Sequence, residues 1–384
     1  MNCVKREILP VGQGAFYLET LMLRENEYKV IYDCGSATDV IYVETQIKAS
    51  LNKDEEINAV FISHLDDDHV NGLEFLLKHC NVKNLFFPLI TKQTKQFNAI
   101  RNLINPQSRF LTQFINSEGN SIRELEGGSE VQLHPISEDA SSDNRVIEVT
   151  QAIFGSNYRK LGWIYLPHNF REDTRKQIFE TELKKISLSM SILDLNGQVD
   201  LQKLKKLWSQ GTNSDKSEIK KAYSKVPGSL NVNSMMLYSD ADLPFNGYSN
   251  KCRLFSCIYH HNGNYEYICF NGCLYTGDYE SGKYDWNKKK WISCKQKWDS
   301  VENVYSKYFR NIGLVQIPHH GSRHNYNEGF RKKINFAAYF ASAGKHNRYR
   351  HPHKEVLVDL ISNQKCINTI TEDANSKMTY YCHW

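Results

Sequence analysis

The sequence predicts an α/β fold, and three observations predict it. Residues 57–63 (INAVFIS) form a short, nearly continuous apolar run of the kind a strand buried on both faces requires. After the polar cluster at 64–69, Leu73, Leu76, Leu77 and Cys80 recur at three- and four-residue spacing, the pattern of a helix with one apolar stripe. Residues 82–88 (VKNLFFP) then read as another strand, so strand, loop, helix and strand follow one another in βαβ order.

The remaining elements extend this grammar. Residues 15–20 and 28–33 predict two early strands. Helices are predicted at about 92–104 and 108–117, and a strand at 131–135. From 137 to 227 the chain turns polar and basic. Helical spacing recurs there in Phe179, Leu183, Ile186 and Leu188, and again in Leu201, Leu204 and Leu207. This stretch reads as a mostly helical insertion in a single domain spanning 1–384. Its charge fits a solvated helix face, and it also fits a surface for nucleic acid or a protein partner. Strands return at 234–239, 253–259 and 265–270, with 261–264 (HNGN) as a hairpin turn. Residues 274–276, 313–317 and 336–341 predict further strands, and 301–309 and 354–362 predict helices.

Composition excludes several classes. With 40% hydrophobic residues in 384, the chain has ample material for a core, so a wholly disordered protein is excluded. Its 21 Gly and 9 Pro are too few for a collagen-like or linker-dominated chain. The formal charge of +5 permits an anionic substrate without demonstrating one. No run of about 18 apolar residues is present to span a bilayer, and the N-terminus lacks the apolar core of a signal peptide. The ten cysteines show no framework spacing, which predicts a reduced, cytoplasmic setting.

The chemistry concentrates in His64-Leu65-Asp66-Asp67-Asp68-His69. Two imidazoles and three carboxylates stand between a buried strand and a helix start. A helix cap accounts for one Asp, but not for three with flanking histidines. Imidazole and carboxylate together suit Zn²⁺, Mn²⁺ or Fe. Two distant pieces fit the same centre. Asp278 follows an apolar strand, and His319-His320-Gly321-Ser322 follows another strand and Pro318. In an α/β sheet strand ends gather at one edge, where sites are built.

In order along the chain come Val11-Gly12-Gln13-Gly14, Asp33-Cys34-Gly35, the cluster from Ser63 to His69, Asn71-Gly72-Leu73, Leu133-His134-Pro135, Asn231 to Ser234, Thr276-Gly277-Asp278, Pro318 to Ser322, and Asn347 to His351-Pro352. These pieces resemble the metallo-β-lactamase superfamily, and more closely its ComEC-type branch. The resemblance implies an αβ/βα sandwich with one or two divalent metal ions, Zn or Mn, at one edge. It implies that His64 and Asp66 serve one metal, that Asp68, His69 and His320 serve the other, and that Asp278 bridges them. It further implies a metal-activated water as nucleophile, Asp68 as the group that orients it, and His351 as a proton donor. His319, Ser322, Asn231, Asn233 and Ser234 are implied to touch substrate or to hold the loops. Asp66 stands where the commonest superfamily motif has a second His, a feature of the ComEC-type branch. The middle histidine of many relatives has only His79, His134, His168, His260 and His261 as candidates. Cys252, Cys257, Cys269 and Cys273 lack zinc-ribbon spacing and read as small buried hydrophobes.

The function expected on this basis is a metal-dependent hydrolase cleaving phosphodiester bonds in nucleic acid. Two alternatives are a hydrolase of a small ester, lactone or cyclic nucleotide, and a weakly catalytic, metal-stabilised subunit that meets a protein partner through 137–227.

Overall fold

The computed structural model describes residues 2–138, 142–170, 174–186, 192–194, 196, 198–225, 234–242, 257–261, 264–268, 270–285, 287–288, 290–293 and 295–383. Among these residues the strands join into two large sheets. The first runs, side by side, Asn264–Ile268, Cys257–His261, Met378–His383, Cys3–Ile8, Gly14–Leu23, Asn26–Ser36, Ala59–Phe61, Asn84–Pro88 and Gln132–Ile136. The second runs Ile367–Ile370, Ala338–Ser342, Ile312–Gln316, Gly272–Tyr275, Met235–Ala241 and Trp163–Asn169.

Alternation along each strand creates four layers. Val30, Tyr32, Ala59 and Phe61 turn inward and meet Tyr165, Leu237, Tyr275, Leu314 and Phe340 of the second sheet. Their neighbours Ile31, Val60 and Ile62 turn outward and pack on Val43, Ile47, Leu73, Leu76 and Leu77 of the covering helices. On the far side Leu274, Val315 and Tyr339 pack on Val301, Tyr305, Val356 and Leu360. A strand sandwiched in this way has no polar face, which is why 57–63 carries no alternation. Between the sheets the Tyr32 and Tyr275 rings stack at 4.9 Å, a contact worth about 0.5–1.5 kcal/mol beyond the area it buries.

A buried ion pair also crosses this interior. Arg6 Nε donates to Glu19 Oε1 at 2.6 Å, and Glu19 accepts from Tyr165, Ser239 and Tyr275 of the opposite sheet. The charged look of 3–8 (CVKREI) conceals a strand for this reason, and none is predicted there. The strands Trp163–Asn169, Ile367–Ile370 and Met378–His383 are likewise absent from the expected set. Trp163–Asn169 falls inside the 137–227 stretch, yet it pairs antiparallel with Met235–Ala241 as the edge of the second sheet. The helices after it, Thr174–Leu183, Leu201–Gln210 and Asn213–Tyr223, bury Phe179, Leu183, Leu204 and Ile219 against Phe97 and Ile100 of the helix Lys92–Ile104. Helix 301–309 is displaced: the α-helix is Lys295–Tyr305, and Ser306–Asn311 is 3₁₀. Of the described residues, no helix is long and apolar enough to cross a membrane.

One carboxylate in this interior sets a pH dependence. Asp240 is buried on Met235–Ala241 and accepts from the Tyr238 hydroxyl and the Ala241 amide. Burial outweighs these bonds and pushes its pKa up to about 7. The native state therefore keeps a proton that the unfolded chain releases near pH 4. Stability from this group is whole below about pH 4, declines by up to about 1.4 kcal/mol per pH unit, and is flat again above about pH 7. Asp240→Asn should be increasingly stabilising over that window in urea unfolding at stepped pH. A constant offset from the parent protein would contradict the assignment.

The parallel strands point their carboxyl ends to one edge. Asn26–Ser36 runs parallel to Ala59–Phe61, and Gly272–Tyr275, Ile312–Gln316 and Ala338–Ser342 run parallel to one another. The loops leaving those ends carry Asp33, Ser63 to His69, Asp278 and His319-His320.

Candidate metal centre

The loops converge through specific close approaches. Gly277 has φ +52, and a Cβ there would stand 2.2 Å from Ser234 Oγ and 2.7 Å from Ser63 Cβ, so only glycine lets the two sheets' loops touch. Ser234 Oγ then accepts from the Asp278 amide at 3.0 Å, and Asn325 Nδ2 donates to the Asp278 carbonyl at 2.7 Å. Asp33, His319 and His320 all hold positive φ (57, 49 and 56), a conformation that costs energy in non-glycine residues and gathers at functional sites.

Three imidazoles are fixed with the same ring nitrogen facing outward from the centre. His69 Nδ1 donates to Asp33 Oδ2 at 2.8 Å. Ser63 Oγ donates to the same Oδ2 at 2.7 Å and so accepts from His64 Nδ1 at 2.8 Å. His320 Nδ1 donates to the Ser342 carbonyl at 2.8 Å. Each ring, when neutral, thereby carries its lone pair on Nε2, and His64, His69 and His320 Nε2 are buried without a hydrogen bond. Carboxylate–histidine pairs of this kind set the tautomer of metal-binding imidazoles.

The lone pairs meet two carboxylates. His69 Nε2 lies 3.8 Å from Asp68 Oδ2 and 3.6 Å from Asp278 Oδ1. His320 Nε2 lies 3.5 Å from Asp68 Oδ2 and 3.9 Å from Asp278 Oδ1. Donors about 2.1 Å from a tetrahedral ion stand about 3.4 Å apart, and His69, Asp278 and His320 offer three donor atoms close enough together to hold one divalent cation, with Asp68 Oδ2 beside both rings. His64, Asp68 and His69 form a second, overlapping group, and His64 Nε2 is 3.8 Å from Asp278 Oδ2.

Electrostatics report the same demand for positive charge. Burial opposes ionisation of Asp68 and Asp278, but the surrounding histidines outweigh it and hold both well below the usual carboxylate range. Burial also opposes a proton on His69, but Asp33, Asp68 and Asp278 outweigh it and push its pKa up to about 10. His64 moves the other way: burial and the neighbouring His69 keep it neutral. A cluster that retains a proton on a buried imidazole is one that a divalent ion would satisfy.

The other expected site residues are distributed as follows. Asp66 joins neither group, and its Oδ1 accepts from Arg101 Nη1 at 2.6 Å. His319 Nε2 is 3.5 Å from Asp278 Oδ2. His319, Ser322 and His351 line a cavity of about 1420 Å³ that opens on the centre. Asn347 brackets His351 by accepting from its amide and donating to its carbonyl, both at 2.8 Å. Burial, then His320, His319 and His353, hold the His351 imidazole far below its usual range, so it is a neutral ring. Asn231, Asn233, Cys252 and Cys269 lie outside the described residues, as do the side chains of His260 and His261. His79 bonds the Leu51 carbonyl, His134 bonds Asn84, and His168 packs on Phe170, so none of these three joins the cluster. Asp33, Ser63 and Arg101 have roles here that no sequence motif assigns: the first two orient the rings and the third holds Asp66. Asp33 stands in the piece Asp33-Cys34-Gly35, but nothing local shows that it faces His69.

Residues 18–133 match the model of the Metallo-beta-lactamase superfamily. The metallo-β-lactamase match contains Asp33, the cluster 64–69 and Arg101, and ends before Asp278 and His320. Among solved structures, the short form of human tRNase Z is 11% identical, with 88% of this chain and 92% of that chain covered and a TM-score of 0.39. Unliganded yeast PDE1 is 8% identical, with 99% and 100% covered and a TM-score of 0.40. The metallo-β-lactamase SMB-1 bound to 2-mercaptoethanesulfonate is 7% identical, with 85% and 91% covered and a TM-score of 0.28. A comparison with curated proteins finds no match.

Proposed function

We propose that this protein is a divalent-metal-dependent hydrolase of phosphodiester bonds, acting on nucleic acid. The observation that carries the reading is the convergence of three buried Nε2 lone pairs with the Asp68 and Asp278 carboxylates beside an open cavity. Asp68, His69, Asp278 and His320 would hold the ion, with His64 beside them. The ion, Zn²⁺ or Mn²⁺, would supply Lewis acidity and lower the pKa of a water. The ComEC-type branch is favoured by Asp66 at the position of the second motif histidine.

The chain's own residues supply the rest. Asp33, Ser63 and the Ser342 carbonyl keep the three rings aimed. Asp68, partly open to the cavity, is placed to orient a water or take its proton. Arg101 and Arg348 on the cavity wall offer donors to anionic oxygens. His351 presents a neutral ring to the same space, suited to hydrogen bonding with a leaving oxygen. A volume of about 1420 Å³ exceeds what a drug-sized ligand fills, which favours a polymer segment over a small ester, lactone or cyclic nucleotide. None of the described residues of 137–227 lines that cavity, so among them nothing closes it over a small substrate. We infer that the helices within 137–227 act as a buttress for Lys92–Ile104.

The test is turnover of bis-p-nitrophenyl phosphate and of single- and double-stranded DNA and RNA with added Mn²⁺ or Zn²⁺, beside a panel of esters, lactones and cyclic nucleotides. Cleavage of the polymers, lost in Asp68→Ala, is expected. Turnover confined to the small substrates would favour the second reading, and metal-dependent stability without any turnover would favour a non-catalytic subunit.

A further inference from the structure

We propose that the guanidinium of Arg101 takes the place of a second divalent cation: by holding the Asp66 carboxylate it limits the centre to one ion, and it sets a fixed positive charge beside that ion. The inference rests on the metal-centre reading above and concerns how many ions it holds.

The donors are unequally divided. His69 Nε2, Asp278 Oδ1 and His320 Nε2 form one group, and Asp68 Oδ2 lies 3.8 Å from the first ring nitrogen and 3.5 Å from the last. A second ion would draw on His64 Nε2, the other Asp278 oxygen and Asp66. Asp66 is engaged instead by Arg101 Nη1 at 2.6 Å, a charge-assisted bond between side chains about one-tenth exposed. Separating such a pair leaves a poorly hydrated charge on each side, so Asp66 is costly to recruit as a metal ligand. The other guanidinium N–H groups of Arg101 make no hydrogen bond among the described residues, and the residue lines the cavity. They remain available to an anionic oxygen, where a planar fork of donors suits phosphate.

The arginine is held there by the tertiary structure. Thr91 and Thr94 form a capping box at the start of Lys92–Ile104. Phe97 and Ile100 anchor the helix against Phe179, Leu183, Leu204 and Ile219. One residue beyond Ile100, Arg101 turns off that apolar face toward Asp66. The helical layer thus places a cationic side chain at the metal edge.

The experiment is metal stoichiometry. Metal-free full-length protein, and the variants Arg101→Gln, Asp66→Asn and the double variant, are titrated calorimetrically with Mn²⁺ and with Zn²⁺. Bound metal is then counted by elemental analysis, with thermal melting as the check on folding. One ion is expected in the parent and in Asp66→Asn, two in Arg101→Gln, and one again in the double variant. A parent that binds two ions and drops to one in Asp66→Asn would overturn the inference while leaving the metal-centre reading intact. A parent that binds none would overturn both. A folded Arg101→Gln that still binds one ion would overturn the inference too, and if that variant does not fold, Arg101→Met, which keeps the apolar stem, is titrated in its place.

Discussion

Asp278→Ala is expected to lose the bound metal and, with it, turnover by about three orders of magnitude. That factor is what several kcal/mol of missing charge stabilisation amounts to. Both Asp278 oxygens face imidazole nitrogens: Oδ1 those of His69 and His320, and Oδ2 those of His64 and His319. No other carboxylate in the cluster reaches all four rings. Elemental analysis of the purified variant reads the first effect, and single-turnover cleavage of a phosphodiester reads the second. Melting in the presence of a chelator separates them from misfolding, since Ser234 and Asn325 hold this loop through the Asp278 backbone and remain in the variant. Metal content and turnover equal to the parent's would remove Asp278 from the centre.

Asp33→Ala is expected to weaken metal binding by about 10–100-fold, the usual consequence of removing the group that orients a ligand. One carboxylate here accepts from the Ser63 amide at 2.6 Å, the Ser63 hydroxyl and His69 Nδ1. Removing it strands three buried donors and frees His69 to rotate or change tautomer. His64 loses its position as well, because its partner Ser63 Oγ is oriented by Asp33. Competition with a calibrated chelator measures the affinity. Asp33→Asn, which keeps an acceptor oxygen, should fall between parent and Ala. An unchanged affinity in Asp33→Ala would show that Asp33 is only packing.

Much of the centre is legible in the sequence because its residues cluster or punctuate strands. The run 64–69 packs ligands into one turn, and Asp278 and His320 each follow an apolar strand. Where two candidates are adjacent, sequence does not separate them. The left-handed backbone at His319 and His320 points His320 Nδ1 at the Ser342 carbonyl and leaves His319 nearer the cavity. Arg101 carries no local signal at all. It lies in a polar helix 35 residues from Asp66, and only the packing of Phe97 and Ile100 brings it home. The strand Cys3–Ile8 is concealed for a related reason, since Arg6 is paired with Glu19 from the next strand.

The sequence by itself determined the α/β grammar, the strand buried on both faces, and a cluster of imidazoles and carboxylates suited to a divalent ion. These are local properties, written in periodicity and spacing. Only the tertiary structure decided which ring nitrogens carry protons, which carboxylate is held by an arginine, and that a strand from 163–169 closes the second sheet. Each of those depends on a partner distant along the chain, and hydrogen-bond direction is fixed by the partner rather than by the residue itself.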